Sequence, residues 1–392
     1  MANLRVGDVL EQFDEKLGTR PEPEVLTLTE RRGFIPQSER FNKRLATEDT
    51  SGYKVVRRHD IAFNPYLLWA GAIAQNTAWD MAIISPAYPT FRVRKNFDPR
   101  FVSYRLASEQ LRVRYDSISF GAVPRRRRAA TESFLELEFG ASPPIGEQHR
   151  IASILDKADA LRTQRRKSLL MLDELTVATF HGICGPCLGP PISIGKPSQR
   201  DADKYVPLIE VARLATGHTP SRRVPEYWGG QVPWMSLSDI RRLDGRVAEE
   251  TEQYTTEAGI ANSSAVVLPK DTVCFSRTAS VGFATILGRE MATSQDFVNW
   301  ICGKRINPFY LLAAFRASKQ YLISKSTGST HKTIYFPVAE RFHVFLPDAA
   351  KQILFAEALG KIWRLRTALE SQLPSTDQAF ESLQQRAFVG AL

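Results

Sequence analysis

The chain has 392 residues, is 43% apolar and carries a formal net charge of +10. That length and apolar fraction suit two or three domains with real cores, and the positive excess points to a polyanionic partner, nucleic acid ahead of a merely basic soluble protein. No apolar run approaches the ~20 residues of a membrane span and the N-terminus has no signal-peptide core, so a cytoplasmic protein without a membrane partner is expected.

Residues 1–142 read as mixed structure, with short strands at 53–56, 61–63, 88–93 and 134–139 between Pro and Gly punctuation. A short helix is expected over 98–110, with Asp98 as its N-cap and Pro99 at its first position. Pro143 and Pro144 then stop the pattern. From Ile145 to about Phe180, apolar residues recur at Ile151, Ile154, Leu155, Ala158, Leu161, Leu169, Leu172 and Leu175, the spacing of one long helix. A stripe of that length needs a partner helix. Residues 182–204, rich in Gly and Pro, read as a linker. Cys184-Gly185-Pro186-Cys187 lacks the second paired motif of a zinc site and the surroundings of a thioredoxin-like motif, so linker thiols are expected and no metal. Residues 205–346 repeat the mixed pattern. Pro347-Asp348 opens a second stripe, Ile353, Leu354, Ala358, Ile362, Leu365, Leu369 and Leu373, which Pro374 interrupts before a last short helix with Phe380, Leu383 and Phe388.

The chain contains itself twice. Residues 53–63 return as 265–275, Pro99 as Pro308, Ala107-Ser108 as Ala317-Ser318, Gly121 as Gly328 and Pro144 as Pro347. The order is collinear and the period is about half the chain, which excludes a solenoid of short repeats. Two copies of one module are indicated, each a globular part followed by a long helix. Antiparallel pairing of the helices would place the modules at opposite ends of a rod roughly 50 Å long, more than one ~34 Å turn of duplex.

Catalytic equipment is missing. Gly195-Lys196 is followed by Pro197 and fails the phosphate-loop pattern. Asn64-Pro65-Tyr66 lacks one proline of the amino-methyltransferase motif, and no Gly-rich cofactor loop follows a predicted strand. A binding subunit with no cofactor of its own is the expectation.

The order of motifs resembles the specificity (S) subunit of type I restriction–modification enzymes. In the second module these are Gly217-His218-Thr219-Pro220-Ser221, Glu226-Tyr227-Trp228-Gly229-Gly230, Val232-Pro233-Trp234-Met235-Ser236, Pro269-Lys270-Asp271-Thr272-Val273, Thr293-Ser294-Gln295-Asp296 and Thr327-Gly328-Ser329-Thr330. In the first they are Gly71-Ala72-Ile73, Ser85-Pro86-Ala87-Tyr88, Arg125-Arg126-Arg127-Arg128 and Pro143-Pro144-Ile145-Gly146-Glu147-Gln148. In the second helix Ala350 and Lys351 stand where the first has Glu147 and Gln148. The resemblance implies an α+β fold: two similar α/β target recognition domains separated by an antiparallel coiled coil of two long helices. The domains would be 1–142 and 205–346, the conserved helices 143–181 and 347–392. It implies that each domain reads one half of a split sequence in double-stranded DNA, that two methyltransferase (M) subunits dock around the coil, and that restriction (R) subunits join them.

Candidate contacts follow. Arg125, Arg126, Arg127 and Arg128 would grip phosphates from a surface loop, or form a solvated charge run. Ser329, Thr330, His331 and Lys332 occupy the matching position of the second copy. Gln295 suits adenine in the major groove or a loop-fixing hydrogen bond. Arg57 and Arg277 are candidates for base reading, and Tyr227, Trp228 and Trp234 for packing anchors ahead of stacking platforms. Glu147 and Gln148 are candidates for partner docking, against a plain helix-dipole role for the glutamate. The rival readings are a coiled-coil adaptor that binds no DNA and a self-contained DNA methyltransferase.

Overall fold

The computed structural model describes residues 3–30, 32–41, 49–121, 127–185, 189–197, 202–328 and 332–392. The chain divides into two compact units, Met1–Arg166 with Ser371–Leu392, and Lys167–Glu370. Each long helix therefore contributes one part to each unit.

In the first unit a four-stranded antiparallel sheet has the order Leu10–Phe13, Thr90–Val93, Ile61–Phe63, Ile73–Gln75. Its buried aromatic residues build the core: Phe134 lies 4.7 Å from Phe63 and 5.4 Å from Phe91, ring centre to ring centre. Ile151, Ala152 and Leu155 of the first long helix, Ile145–Cys184, and Phe380 and Ala387 of the second, Ala349–Phe388, complete that core. In the second unit the sheet runs Ala212–Thr216, Phe297–Cys302, Val273–Ser276, Ala284–Leu287, with Val247–Ala248 added at the edge. The first four strands repeat the order of the first unit's sheet. Phe275, Trp300, Phe315 and Phe342 are fully buried, packed with Phe180, Phe355 and Leu359 of the long helices.

The duplication extends to single residues. His59 and Asp271 share the left-handed backbone, at φ 74° and 67°. Asp98 and Asn307 each cap a helix that begins at Pro99 or Pro308, and each side chain accepts two backbone N–H bonds. Short capped helices of this kind are what Asp or Asn followed by proline favours.

Within each unit the two helix segments are antiparallel. In the first unit Arg150 donates to the carbonyl of Leu392 (2.8 Å), whereas Arg166 reaches Asp377 (2.7 Å). In the second, Asp173 accepts from Arg366 (2.6 Å) while Phe180 packs edge-on to Phe355 at 5.4 Å.

Several expectations are corrected. Residues 134–139 are not one strand: a helix, Thr131–Leu135, precedes a strand, Glu138–Gly140. Phe134 enters the aromatic core from that helical turn. The helix expected at 98–110 ends at Leu106, and a second, Glu109–Ser117, follows. The region 182–204 is more than a linker. Ile192–Ile194 pairs antiparallel with Phe342–Phe345, and Ile192 is wholly buried. Cys184 is also buried, and Cys187 lies outside the described residues. Pro374 does not end the second helix. Proline removes only one helical hydrogen bond, that to the carbonyl four residues back, and core contacts at Phe355 and Leu359 on one side and Phe380 on the other outweigh it. The apolar stripe also contains residues that do not pack: Leu161, Leu175, Ile353, Leu354 and Leu365 are exposed, while Phe355 and Leu359, outside the predicted stripe, are buried.

Candidate nucleic-acid interface

The described residues flanking the two matched basic segments form matched antiparallel pairs. In the first unit Ser119–Phe120 pairs with Arg128–Ala129, and the N–H of Ala129 donates to the carbonyl of Pro65 (2.9 Å). In the second, Thr327 bridges Thr333, and the N–H of Ile334 donates to the carbonyl of Arg277 (2.8 Å). Each hairpin is thus fastened beside the loop that leaves a central strand, Ile61–Phe63 or Val273–Ser276.

Arg125 and Arg126 lie outside the described residues, as do Ser329, Thr330 and His331. Arg127 is held: it donates to the carboxylate (2.8 Å) and carbonyl (2.8 Å) of Asp116 and to the carbonyl of Ser119 (3.1 Å). Arg128 is exposed and stands 5.8 Å from the ring centre of Tyr66. Lys332 is exposed, and its carbonyl accepts from the N–H of Ala279 (3.2 Å).

Gln295 and Arg277 come together. The Nε of Arg277 donates to the carbonyl of Gln295 (3.1 Å), while the Oε1 of the exposed Gln295 accepts from the hydroxyl of Thr219 (2.5 Å). Gly217 starts this loop where no side chain fits: a Cβ there would stand 2.3 Å from the carbonyl oxygen of Ser294. Trp228 and Trp234 anchor the same loop, their indole N–H groups donating to the carbonyls of Ser221 (3.2 Å) and His218 (3.1 Å). Arg222, which the motif reading passed over, lies 3.7 Å from the ring centre of Trp228 and 4.9 Å from that of Trp234. The sequence signal was the Arg222-Arg223 pair directly after Gly217–Ser221.

Arg57 is placed elsewhere. It ends a strand, Lys54–Arg57, that pairs with Met81–Ile84, and its two terminal nitrogens close on Glu15 at 2.5 and 2.8 Å. The guanidinium groups of Arg57 and Arg20 hold the Glu15 carboxyl down at about 2. Arg57 and Arg277 are not counterparts: the strand-end position of Arg277 is held by Pro65 in the first unit.

Gln148 is almost completely buried. Its Oε1 accepts from the N–H of Asp98 (2.9 Å) and its Nε2 donates to the carbonyl of Pro143 (2.9 Å). Gln352 repeats these contacts with the N–H of Asn307 (2.8 Å) and the carbonyl of Pro347 (2.8 Å). The register of the two helices therefore shifts by one from the sequence comparison. Lys351 and Gln352, not Ala350 and Lys351, match Glu147 and Gln148. Gln148 fastens its helix to its own domain, which leaves Glu147 as the outward member of the pair. Its carboxyl, held below the usual range by Arg150, is replaced by an ammonium in the second copy.

Among the described residues no cluster of three or more His, Cys, Asp or Glu converges as a metal site. No described helix is long and apolar enough to cross a membrane.

Residues 203–376 match the family "Type I restriction modification DNA specificity domain". The chain is 28% identical over 170 residues to the type I restriction enzyme MjaIX specificity subunit of Methanocaldococcus jannaschii, covering 43% of this chain and 39% of that one. It is 29% identical over 95 residues to the EcoprrI specificity subunit of Escherichia coli, covering 24% of this chain and 23% of that one. These matches span well under half of the relatives' own lengths. The fold likeness runs end to end. A chain from a structure of a type I R-M system, studied for complex assembly and conformational transition, is covered at 98% with TM-score 0.56 and 15% identity. The S subunit from M. genitalium is covered at 96% with TM-score 0.54 and 12% identity. Residues 203–376 thus resemble a type I DNA specificity domain, and the whole chain shares its fold with the S subunit from M. genitalium.

Proposed function

We propose that the chain is the DNA-recognition subunit of a type I restriction–modification complex. On this reading it has no catalytic activity of its own and presents its two units to the two halves of a split target. The observation that carries the reading is the specificity domain in one of two units that repeat the same strand order and the same basic hairpin. Exposed hairpin cations and the arginine block suit phosphate contacts, which give affinity without sequence information. Loop side chains such as Gln295 suit base edges.

The paired long helices are read as one antiparallel coiled coil that sets the gap between half-sites. Two methyltransferase subunits, with restriction subunits joining them, would dock around it in the cytoplasm. Support for docking comes from the exposed apolar residues Leu170, Met171, Leu175, Val177, Ile353, Leu354 and Leu365 on these helices. Several large apolar side chains left exposed on two paired helices suit a partner surface. Methyl transfer and ATP-driven cleavage would belong to the partners. The test is direct. The purified chain with S-adenosylmethionine, ATP and magnesium should neither methylate nor cleave DNA, and adding its methyltransferase subunit should give methylation at a split site. Activity from the chain alone would overturn the reading.

A further inference from the structure

We infer that Arg222 is a base-reading residue of the second unit, that its target is a guanine in the major groove, and that Trp228 and Trp234 position it. The inference rests on the DNA-recognition reading above and names the residue that gives the second unit part of its specificity.

Four observations lead there. First, Arg222 is exposed, and among the described residues its guanidinium makes no ion pair; it lies instead against two indole faces. Several other arginines of this unit are instead tied to carboxylates. Arg242 is paired to Asp239 at 2.9 Å, Arg246 to Glu370 at 2.5 Å and Arg289 to Glu250 at 3.2 Å. An arginine held over an aromatic face by cation–π attraction keeps its forked donors unspent on carboxylates and available to a ligand.

Second, the platform is fixed. The two indole rings meet edge to face at 5.1 Å, Trp234 is 3% exposed, and both indole N–H groups bond to the backbone of residues 218–221. The arginine therefore loses little freedom on binding, the condition for a strong contact by a long side chain.

Third, the loop is continuous with the other candidate contacts. Thr219 bonds Gln295, Gln295 bonds Arg277, and the strand end after Arg277 carries the hairpin with Lys332. Arg222 and Arg223 are exposed on the same loop as Thr219.

Fourth, the chemistry selects the base. A guanidinium fork matches the O6 and N7 acceptors of guanine bidentately, and no other base offers that pair. A phosphate would also accept it, so the experiment separates the two.

The experiment uses the full chain with its methyltransferase subunit and selects bound duplexes from a random pool at several salt concentrations. Wild type should show a guanine at one position of one half-site. Arg222→Lys keeps the charge and removes the fork. It should lose that guanine preference by on the order of 10- to 100-fold, with the other half-site and the salt slope unchanged. Trp228→Ala should weaken the same preference at the same position only, since the arginine is released and not removed. If Arg222→Ala leaves the selected motif unaltered, Arg222 is a loop fastener and the inference fails. If Arg222→Ala instead weakens all duplexes alike and lowers the salt slope by about one unit, the contact is to phosphate and the inference also fails. A wild-type complex that selects no motif at all would sink the DNA-recognition reading itself, a different result from either.

Discussion

Gln148 and Gln352 show how much one buried amide does. Each satisfies a backbone N–H at a helix N-cap and a backbone carbonyl at the start of a long helix, joining the domain to the helix. Truncation to alanine leaves both groups unpaired, and an unsatisfied buried polar group costs about 1–3 kcal/mol. Gln148→Ala and Gln352→Ala should therefore each destabilise the chain by at least about 1–3 kcal/mol in denaturant unfolding, and by similar amounts. A loss below about 0.5 kcal/mol in either would contradict the fastening role. Glu15 offers a pH test. Its carboxyl falls from the ordinary 4.5 to about 2 because Arg57 and Arg20 hydrogen-bond the charged form. A depressed carboxylate contributes stability above its unfolded value, lost as pH falls through its folded value. Wild type should lose that contribution between about pH 4.5 and 2, and Glu15→Gln should flatten the stability profile over that window. An unchanged profile would mean that the pair adds nothing in solution. None of these partners was legible beforehand, because Glu15 and Arg57 are 42 residues apart and no local period connects them.

At the scale of elements, what local chemistry dictates was legible: the capping Asp98 with Pro99, the strand at 61–63, and the start of each long helix after its prolines. Elements decided by tertiary contact were not. Phe134 alternates with apolar neighbours like a strand residue, but its ring is needed between Phe63 and Phe91, and a helical turn delivers it there. Ile192–Ile194 hides among glycines and prolines because its partner strand lies about 150 residues further on. The stripe on the second helix misplaces its buried face because an apolar period counts exposed residues, such as Ile353, Leu354 and Leu365, together with buried ones. The hairpins carry the next prediction. Replacing Arg125, Arg126 and Arg128 with alanine should weaken binding equally for all sequences and reduce the salt slope by up to about one unit per lost phosphate contact. Arg127 is left in place because it fastens the hairpin to Asp116. An unchanged affinity would make the block a solvated surface, and a changed target sequence would make it a base reader. The helices carry another. One matched heptad added to both should lengthen the pair by about 10 Å, or about three base pairs of gap, with both half-sites unchanged. A methylated motif with the original gap would mean that the helices do not set it.

For the molecule as a whole, the repeat was the most legible feature, since collinear motifs survive in a single chain without any alignment. It anticipated the shared strand order of the two units and their matched hairpins. What it missed was the exchange of helix segments, by which the first unit is completed by Ser371–Leu392 from the far end of the chain. No local signal marks that exchange, because a helix looks alike on both sides of the boundary. Of the side chains in this loop region, Gln295 and Arg277, which the fold brings together, were named from the sequence, whereas Arg222 beside Trp228 was not. The central claim is that two similar units in one chain read two separate DNA blocks. The measurement that tests it most directly is the methylated motif in a host carrying this chain with its methyltransferase subunit, compared with the same host lacking the chain. Two specified blocks separated by a fixed number of unspecified base pairs, present only with the chain, are the predicted result. A single continuous block, or the same methylation without the chain, would contradict it.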